Sequence, residues 1–319
     1  MSVALAVIGT GVIGADHVRR LTSGTSSVAV VTDIDAARAE AVARQYGVPV
    51  AHTDGLAAIL DPRVDAVVVA SSAASHAELV VAAVAAGKPV FCEKPLATTA
   101  EDCRLIVEAE AAAGRRLVQV GFMRRYDEAC RELKRVVDGG ELGAPLLLHC
   151  RHRNPAVPDT FTDEMMINEA AIHEIDLVRW LLGEEIAAVS VVWPRRSARA
   201  HRALHDPMLV WLRTTGGTVV DVEVNVNVGY GYDIRAEVVG EHGTFGTTPA
   251  IATHWLERFR AAYDAELADW VRAVAAGADP QGPTAYDGYA AAVVADACVT
   301  AFGVDGWVPV PIAADRSPR

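Results

Sequence analysis

The chain has 319 residues, enough for two domains and a sizeable hydrophobic core. Apolar residues make up 51%, which excludes a disordered chain, and 41 acidic against 29 basic side chains give a net charge of −12, which disfavours nucleic acid as a partner. No apolar run reaches the roughly 18 residues of a membrane span, and the first residues enter a strand pattern without a basic leader, so a cytoplasmic protein is expected.

Residues 3–8, 28–31, 48–51, 65–70, 89–92 and 117–120 are short β-branched runs. Alanine-rich stretches at 35–45, 76–86 and 99–113 predict helices between them. Gly87 and Gly114 stand where helices end, and Thr99 with Asp102 forms a capping-box pattern. This alternation predicts an α/β domain over residues 1–121, a doubly wound parallel sheet that binds a dinucleotide.

Within it, Gly9-Thr10-Gly11-Val12-Ile13-Gly14 follows an apolar strand and opens a helix. Gly9 permits the tight turn, Gly11 lets a pyrophosphate approach the backbone, and Gly14 lets helix pack on strand. Asp33 ends the second strand, where a carboxylate accepts the ribose hydroxyls and repels a 2′-phosphate, so NAD is expected over NADP. Ser71 and Ser72 are expected along the nicotinamide half, and His76 at the start of the following helix. Glu93 and Lys94 lie at the carboxyl end of the fifth strand, the edge where such sheets bind ligands. A lysine there reaches a cofactor's reactive end, which points to hydride transfer.

After residue 121 the rhythm changes. A helix at 127–138, a strand at 145–152 and a helix at 164–182 precede strands at 186–193, 208–213, 218–228 and 233–239. Helices at 255–276 and 285–301 follow, and the tail from 313 reads as disordered. Residues 122–319 are expected to form an α+β domain for substrate binding and oligomerisation, built on an open, mainly antiparallel sheet. One sheet face would be covered by helices and the other left for an oligomer contact, with a C-terminal helix packing back on the first domain. On the 164–182 helix, Glu169, His173 and Asp176 share one face at straight-helix spacing, whereas Glu174 lies about 100° from His173 and is expected to point elsewhere. Oxidising a secondary alcohol requires removal of its hydroxyl proton. Histidine suits that task near neutrality, and the Lys94 ammonium stabilises developing alkoxide. His173 is therefore read as the base.

No metal is expected. The five cysteines (92, 103, 130, 150, 298) form no CxxC pair and read as reduced, buried thiols. His149 with His152, and His201 with His205, have ligand-like spacing without a converging third ligand.

The chain resembles the Gfo/Idh/MocA oxidoreductases, and within them the inositol dehydrogenases. The similarity is densest at FCEKPLATTA (91–100), VQVGFMRRYD (118–127), HCRHRNP (149–155), HEID (173–176), YGYDI (230–234) and GPTAYDGY (282–289). It implies a Rossmann domain, a homotetramer formed through the C-terminal sheet, and NAD-dependent oxidation of myo-inositol to its 2-keto product. Another inositol isomer or an aldose is the alternative substrate, and an NAD-dependent glycosidase of the same fold the alternative reaction. The resemblance assigns catalysis to Lys94, His173 and Asp176, and polyol binding to Arg124, His152, Glu169 and Tyr232. This chain carries Glu169 where the family usually has aspartate, and Ser72 where a bulkier residue is common.

Overall fold

A computed structural model describes residues 2–311, so the tail from 313 lies outside the described residues. The chain divides into two compact units. Among the described residues, one comprises those up to Phe122 together with Asp264–Tyr289, and the other Met123–Tyr263 with those from Ala290 to Pro311.

In the first unit β1 (Ala4–Ile8), α1 (Val12–Thr22), β2 (Ser27–Thr32), α2 (Ala36–Tyr46), β3 (Val50–His52), α3 (Gly55–Leu60), β4 (Ala66–Val69), α4 (His76–Ala85), β5 (Val90–Glu93), α5 (Ala100–Ala113) and β6 (Val118–Gly121) alternate. All the strand pairs are parallel, in the order β3-β2-β1-β4-β5-β6. That is the Rossmann order, with its switch point between β1 and β4. Thr99 accepts the Asp102 N–H at the start of α5, and Gly114 ends it in the left-handed conformation, as the capping pattern predicts. The third strand begins two residues later than expected because the Val48 N–H is still bonded to the Ala43 carbonyl at the helix exit. α3 was not foreseen, since six residues are too few to show a period.

Buried Val7, Val31, Val68 and Phe91 form the centre of this unit's core, together with Trp270, whose ring packs 5.8 Å from that of Phe91. The GPTAYDGY stretch also belongs here. The Pro283 carbonyl accepts the Val120 N–H at 2.9 Å, and a Cβ on Gly288 would stand 2.8 Å from the Leu96 Cβ. The motif is thus a packing device beside the Glu-Lys-Pro turn.

In the second unit α6 (Glu128–Asp138), β7 (Pro145–Arg153), α7 (Asp163–Met165), a π-helical turn at Met166–Ala171 and α8 (Ile172–Leu182) precede the strands β8 (Ile186–Val192), β9 (Met208–Thr214), β10 (Val219–Asn225), β11 (Asp233–Gly240) and β12 (Gly243–Gly246). The chain continues through α9 (Trp255–Arg258), α10 (Arg260–Ala275), α11 (Ala285–Thr300) and β13 (Val308–Pro309). The sheet runs β12-β11-β7-β10-β9-β8-β13 and is antiparallel except where β7 and β10 pair in parallel. Alternation along the strands separates its faces. Leu148, Cys150 and His152 are buried, while Leu147, His149 and Trp211 are exposed.

Three predicted boundaries change. The strand at 218–228 stops at Asn225 because the Val226 N–H is taken by the Asp206 carboxylate. The helix at 255–276 breaks at Phe259, which turns to bury its ring. The helix at 164–182 contains the π-turn, where the Ile172 N–H reaches the Ile167 carbonyl. Straight-helix spacing therefore does not carry from Glu169 to His173.

Candidate active site

The cofactor loop is built by close backbone approach. Gly9 has φ of +93°, and a Cβ there would meet the Ser71 backbone at 2.5 Å, so the ends of β1 and β4 touch at the switch point. A Cβ on Gly14 would stand 1.9 Å from the Gly9 carbonyl oxygen, so only glycine lets α1 start this near the strand. Gly11 is the opposite case, with open space within 4 Å of where its Cβ would be. It also caps α1 without a side-chain bond, which leaves the amides around Val12 and Ile13 for an anion. An open cradle at a helix N-terminus fits a dinucleotide pyrophosphate.

Asp33 closes the loop from the second strand. Its Oδ2 accepts from the Thr10 N–H at 2.8 Å and the Thr10 hydroxyl at 3.0 Å, and its Oδ1 accepts from the Asp35 N–H. Burial by itself would raise this carboxyl, but the Asp35 and Thr10 hydrogen bonds outweigh it and hold the group below the usual aspartate range. Asp35, not Asp33, caps α2. Ser71 and Ser72 follow β4, with the Ser71 and Ser75 hydroxyls 2.7 Å apart.

Lys94 follows β5 directly and is anchored on both sides. Glu93 Oε1 lies 2.7 Å from Nε2 of buried His17, and Glu93 Oε2 accepts the Lys94 N–H at 3.2 Å. On the other side, the Pro95 carbonyl oxygen lies 2.9 Å from Nδ1 of His76. Neither histidine stood out in the sequence as a partner of this turn, because both contacts join residues far apart in the chain.

In the second unit the two arginines of the MRRYD motif meet the two acids of HEID. Arg124 pairs with Glu174, and Arg125 grips both oxygens of Asp176 through Nε at 3.0 Å and Nη2 at 2.5 Å. Glu174, expected to point away from this cluster, is one of its central groups. It is fully buried and accepts from His152 Nδ1 at 3.0 Å. Burial would raise its carboxyl, but the Arg124 guanidinium and then His152 pull it below the ordinary glutamate range. α8 is buried on nearly every side, so a group that a one-face rule turns away still meets a partner.

The ring of His152 stacks on that of His173 with centroids 6.4 Å apart, and the Tyr232 ring meets it edge-on at 6.0 Å. Burial pushes the Tyr232 phenol up to about 12, so it stays a neutral hydroxyl. Arg124 lies over the Phe259 ring and is enclosed in the network. His173, His152, Tyr232 and Arg124 are thus brought together, Asp176 is held by Arg125, and Glu169 sits half-buried in the π-turn. The remaining histidines of ligand-like spacing are engaged with protein groups: His149 with Asp221, His205 with Asp163, and His201 with the Phe161 carbonyl.

A family model for the oxidoreductase family with an NAD-binding Rossmann fold matches residues 3–122, and the GFO/IDH/MocA C-terminal domain model matches residues 130–246. The chain is 50% identical to an inositol 2-dehydrogenase of Pseudomonas savastanoi pv. phaseolicola, covering 98% of both chains. It is also 50% identical to inositol 2-dehydrogenase 3 of Saccharopolyspora erythraea, covering 98% of this chain and 96% of the other. Among solved structures, myo-inositol dehydrogenase from Lactobacillus casei in complex with NAD(H) and myo-inositol superposes with a TM-score of 0.96 at 38% identity over 99% of each chain. The dinucleotide cradle, the lysine at the end of β5 and these matches over nearly the whole length agree: the chain belongs to the Gfo/Idh/MocA family and is an NAD-dependent dehydrogenase acting on CH–OH groups.

Proposed function

We propose that this enzyme oxidises one secondary alcohol of a cyclic polyol, converting myo-inositol to 2-keto-myo-inositol. The observation that carries the reading is the half-identity, end to end, to inositol 2-dehydrogenases, on a chain whose dinucleotide loop, Lys94 and His173 are all intact. Bound NAD supplies the hydride acceptor. The chain's own residues then handle the proton and the oxygen. His173 takes the hydroxyl proton, with Asp176 assisting from the next turn of α8. The Lys94 ammonium stabilises negative charge growing on the same oxygen.

Arg124, His152, Glu169 and Tyr232 form the polyol-binding set. His152 and Tyr232 offer ring nitrogen and phenol to hydroxyls, Glu169 offers a carboxylate, and Arg124 acts from within the network by fixing Glu174, the carboxylate that in turn holds His152. A ring bearing many hydroxyls suits such a set, because a substrate lacking one would leave a buried polar group unpaired. On the first unit, Gly9, Gly11, Val12, Ile13 and Gly14 hold the pyrophosphate, and Asp33 the adenosine ribose. Ser71, Ser72, Glu93 and Lys94 lie toward the nicotinamide.

The enzyme is further proposed to be a cytoplasmic homotetramer. The exposed sheet face that carries Leu147 and Trp211 suits burial by a second copy. No helix among the described residues is long and apolar enough to cross a membrane.

The test is NADH formation with NAD and, separately, NADP, against myo-, scyllo- and chiro-inositol and a set of aldopyranoses. Rapid reduction of NAD with myo-inositol supports the reading. Turnover confined to another polyol keeps the chemistry and shifts the substrate, with Glu169 and Ser72 the first residues to exchange. Hydrolysis of a glycoside without net NADH overturns it.

A further inference from the structure

His76 opens α4 and is 1% exposed, at the join of three backbone segments. Its Nδ1 lies 2.9 Å from the Pro95 carbonyl oxygen, and its Nε2 lies 3.1 Å from the Ser71 carbonyl oxygen. Ser71 is the residue whose backbone bars a Cβ at Gly9. One imidazole thus spans from the cofactor turn to the turn that presents Lys94.

Both neighbours are carbonyls, which only accept, so each bond needs an N–H on the ring. A neutral imidazole carries one. Burial pushes the His76 pKa down, against the opposing pull of the hydrogen bonds to Pro95 and Ser71, so the ring is neutral and the two carbonyls compete for a single proton. The shorter contact is to Pro95. On the amino side of Lys94 the turn is tied through Glu93 to His17, and on the carboxyl side the Pro95 carbonyl lies against His76, so the imidazole bears on the turn next to the lysine.

We propose that His76 is a positioning residue for the reaction: its Nδ1–H donates to the Pro95 carbonyl and thereby sets where the Lys94 ammonium stands. This rests on the reading of Lys94 as the group that stabilises the substrate oxygen. Catalytic groups must hold their geometry closely, and a displacement of about 1 Å costs on the order of 10²-fold in rate. An unbonded, buried Pro95 carbonyl would also drive the turn to relax toward another donor.

Amide side chains separate the two bonds. Asn in place of His76 puts an N–H where Nδ1 stood, and Gln puts one where Nε2 stood. The experiment measures kcat, the KM for NAD and the polyol, and the NAD dissociation constant by calorimetry for His76→Asn, His76→Gln and Lys94→Ala. The expected result is a kcat lowered on the order of 10²-fold in His76→Gln with NAD affinity unchanged, and a kcat near wild type in His76→Asn. Near-native kcat in His76→Gln overturns the proposal, and so do equal losses in both amide variants. Near-native turnover in Lys94→Ala removes instead the reading of Lys94, whatever the His76 variants do.

Discussion

Arg124 and Glu174 form an ion pair with both side chains fully enclosed, and His152 donates to the same carboxylate. Removing one member leaves the other charge buried without compensation, which typically costs about 3–5 kcal/mol. Glu174→Gln is therefore expected to lower stability by roughly that amount, read as a fall in Tm. Arg124→Met combined with Glu174→Leu should recover part of the loss, because no lone charge remains. A double variant less stable than the single one would show that the network contributes more than charge balance.

The same pair sets an acid limit. The folded-state pKa of Glu174 is depressed, so its contribution is complete above the unfolded glutamate value of about 4.3 and is lost as pH falls through the folded value. Denaturation midpoints of the wild type should decline below about pH 4, and Glu174→Gln should decline less over the same window. Parallel curves would assign the acid sensitivity to other carboxylates.

Two glycines of one motif should behave oppositely. Gly14→Ala drives a Cβ to 1.9 Å from the Gly9 carbonyl oxygen, so the helix must shift and Tm falls, by about 1–3 kcal/mol of stability or more. Gly11→Ala meets no protein atom, so Tm holds while the added methyl fills the pyrophosphate space. Its KM for NAD should rise at least about tenfold, equivalent to ~1.4 kcal/mol. Undiminished NAD affinity in Gly11→Ala would move the cofactor away from this loop.

Lys94→Ala and His173→Ala are each expected to reduce kcat by about 10²–10⁴-fold, the range of a lost acid–base or charge-stabilising group. NAD binding should change little, since neither is assigned to the pyrophosphate or adenosine. Stopped-flow measurement of the hydride step keeps product release from masking the effect.

Asp33→Ser removes the carboxylate proposed to bar a 2′-phosphate and also releases Thr10. The ratio of kcat/KM for NADP to that for NAD should rise at least about tenfold, and the KM for NAD should rise with it. An unchanged ratio would leave Asp33 with its role in the loop alone.

Much of the first unit was legible because its signals are local. A glycine turn, a strand of fixed length and a helix cap each lie within a few residues, so Gly9–Gly14, Asp33 and Lys94 could be placed on a Rossmann sheet from their spacing. The open second sheet was legible from alternation, except that the β7–β10 pairing is parallel. The helical face of Glu169, His173 and Asp176 was drawn with straight-helix geometry, which a π-turn set by hydrogen bonds at Met166–Ala171 does not obey.

The chain's own order of residues determined the fold class, the cofactor loop and the presence of a lysine and a histidine suited to hydride transfer, since those depend on neighbours in sequence. Which acid meets which base was decided only by tertiary structure. Glu174 and Asp176 are two residues apart, yet their partners are the adjacent Arg124 and Arg125, some fifty positions earlier. His17 and His76 likewise acquire their meaning only when folding brings them to Glu93 and Pro95. Burial is the physical reason: a charged or polar group removed from water must find a partner, and the packed chain, not the local sequence, determines which one lies within reach.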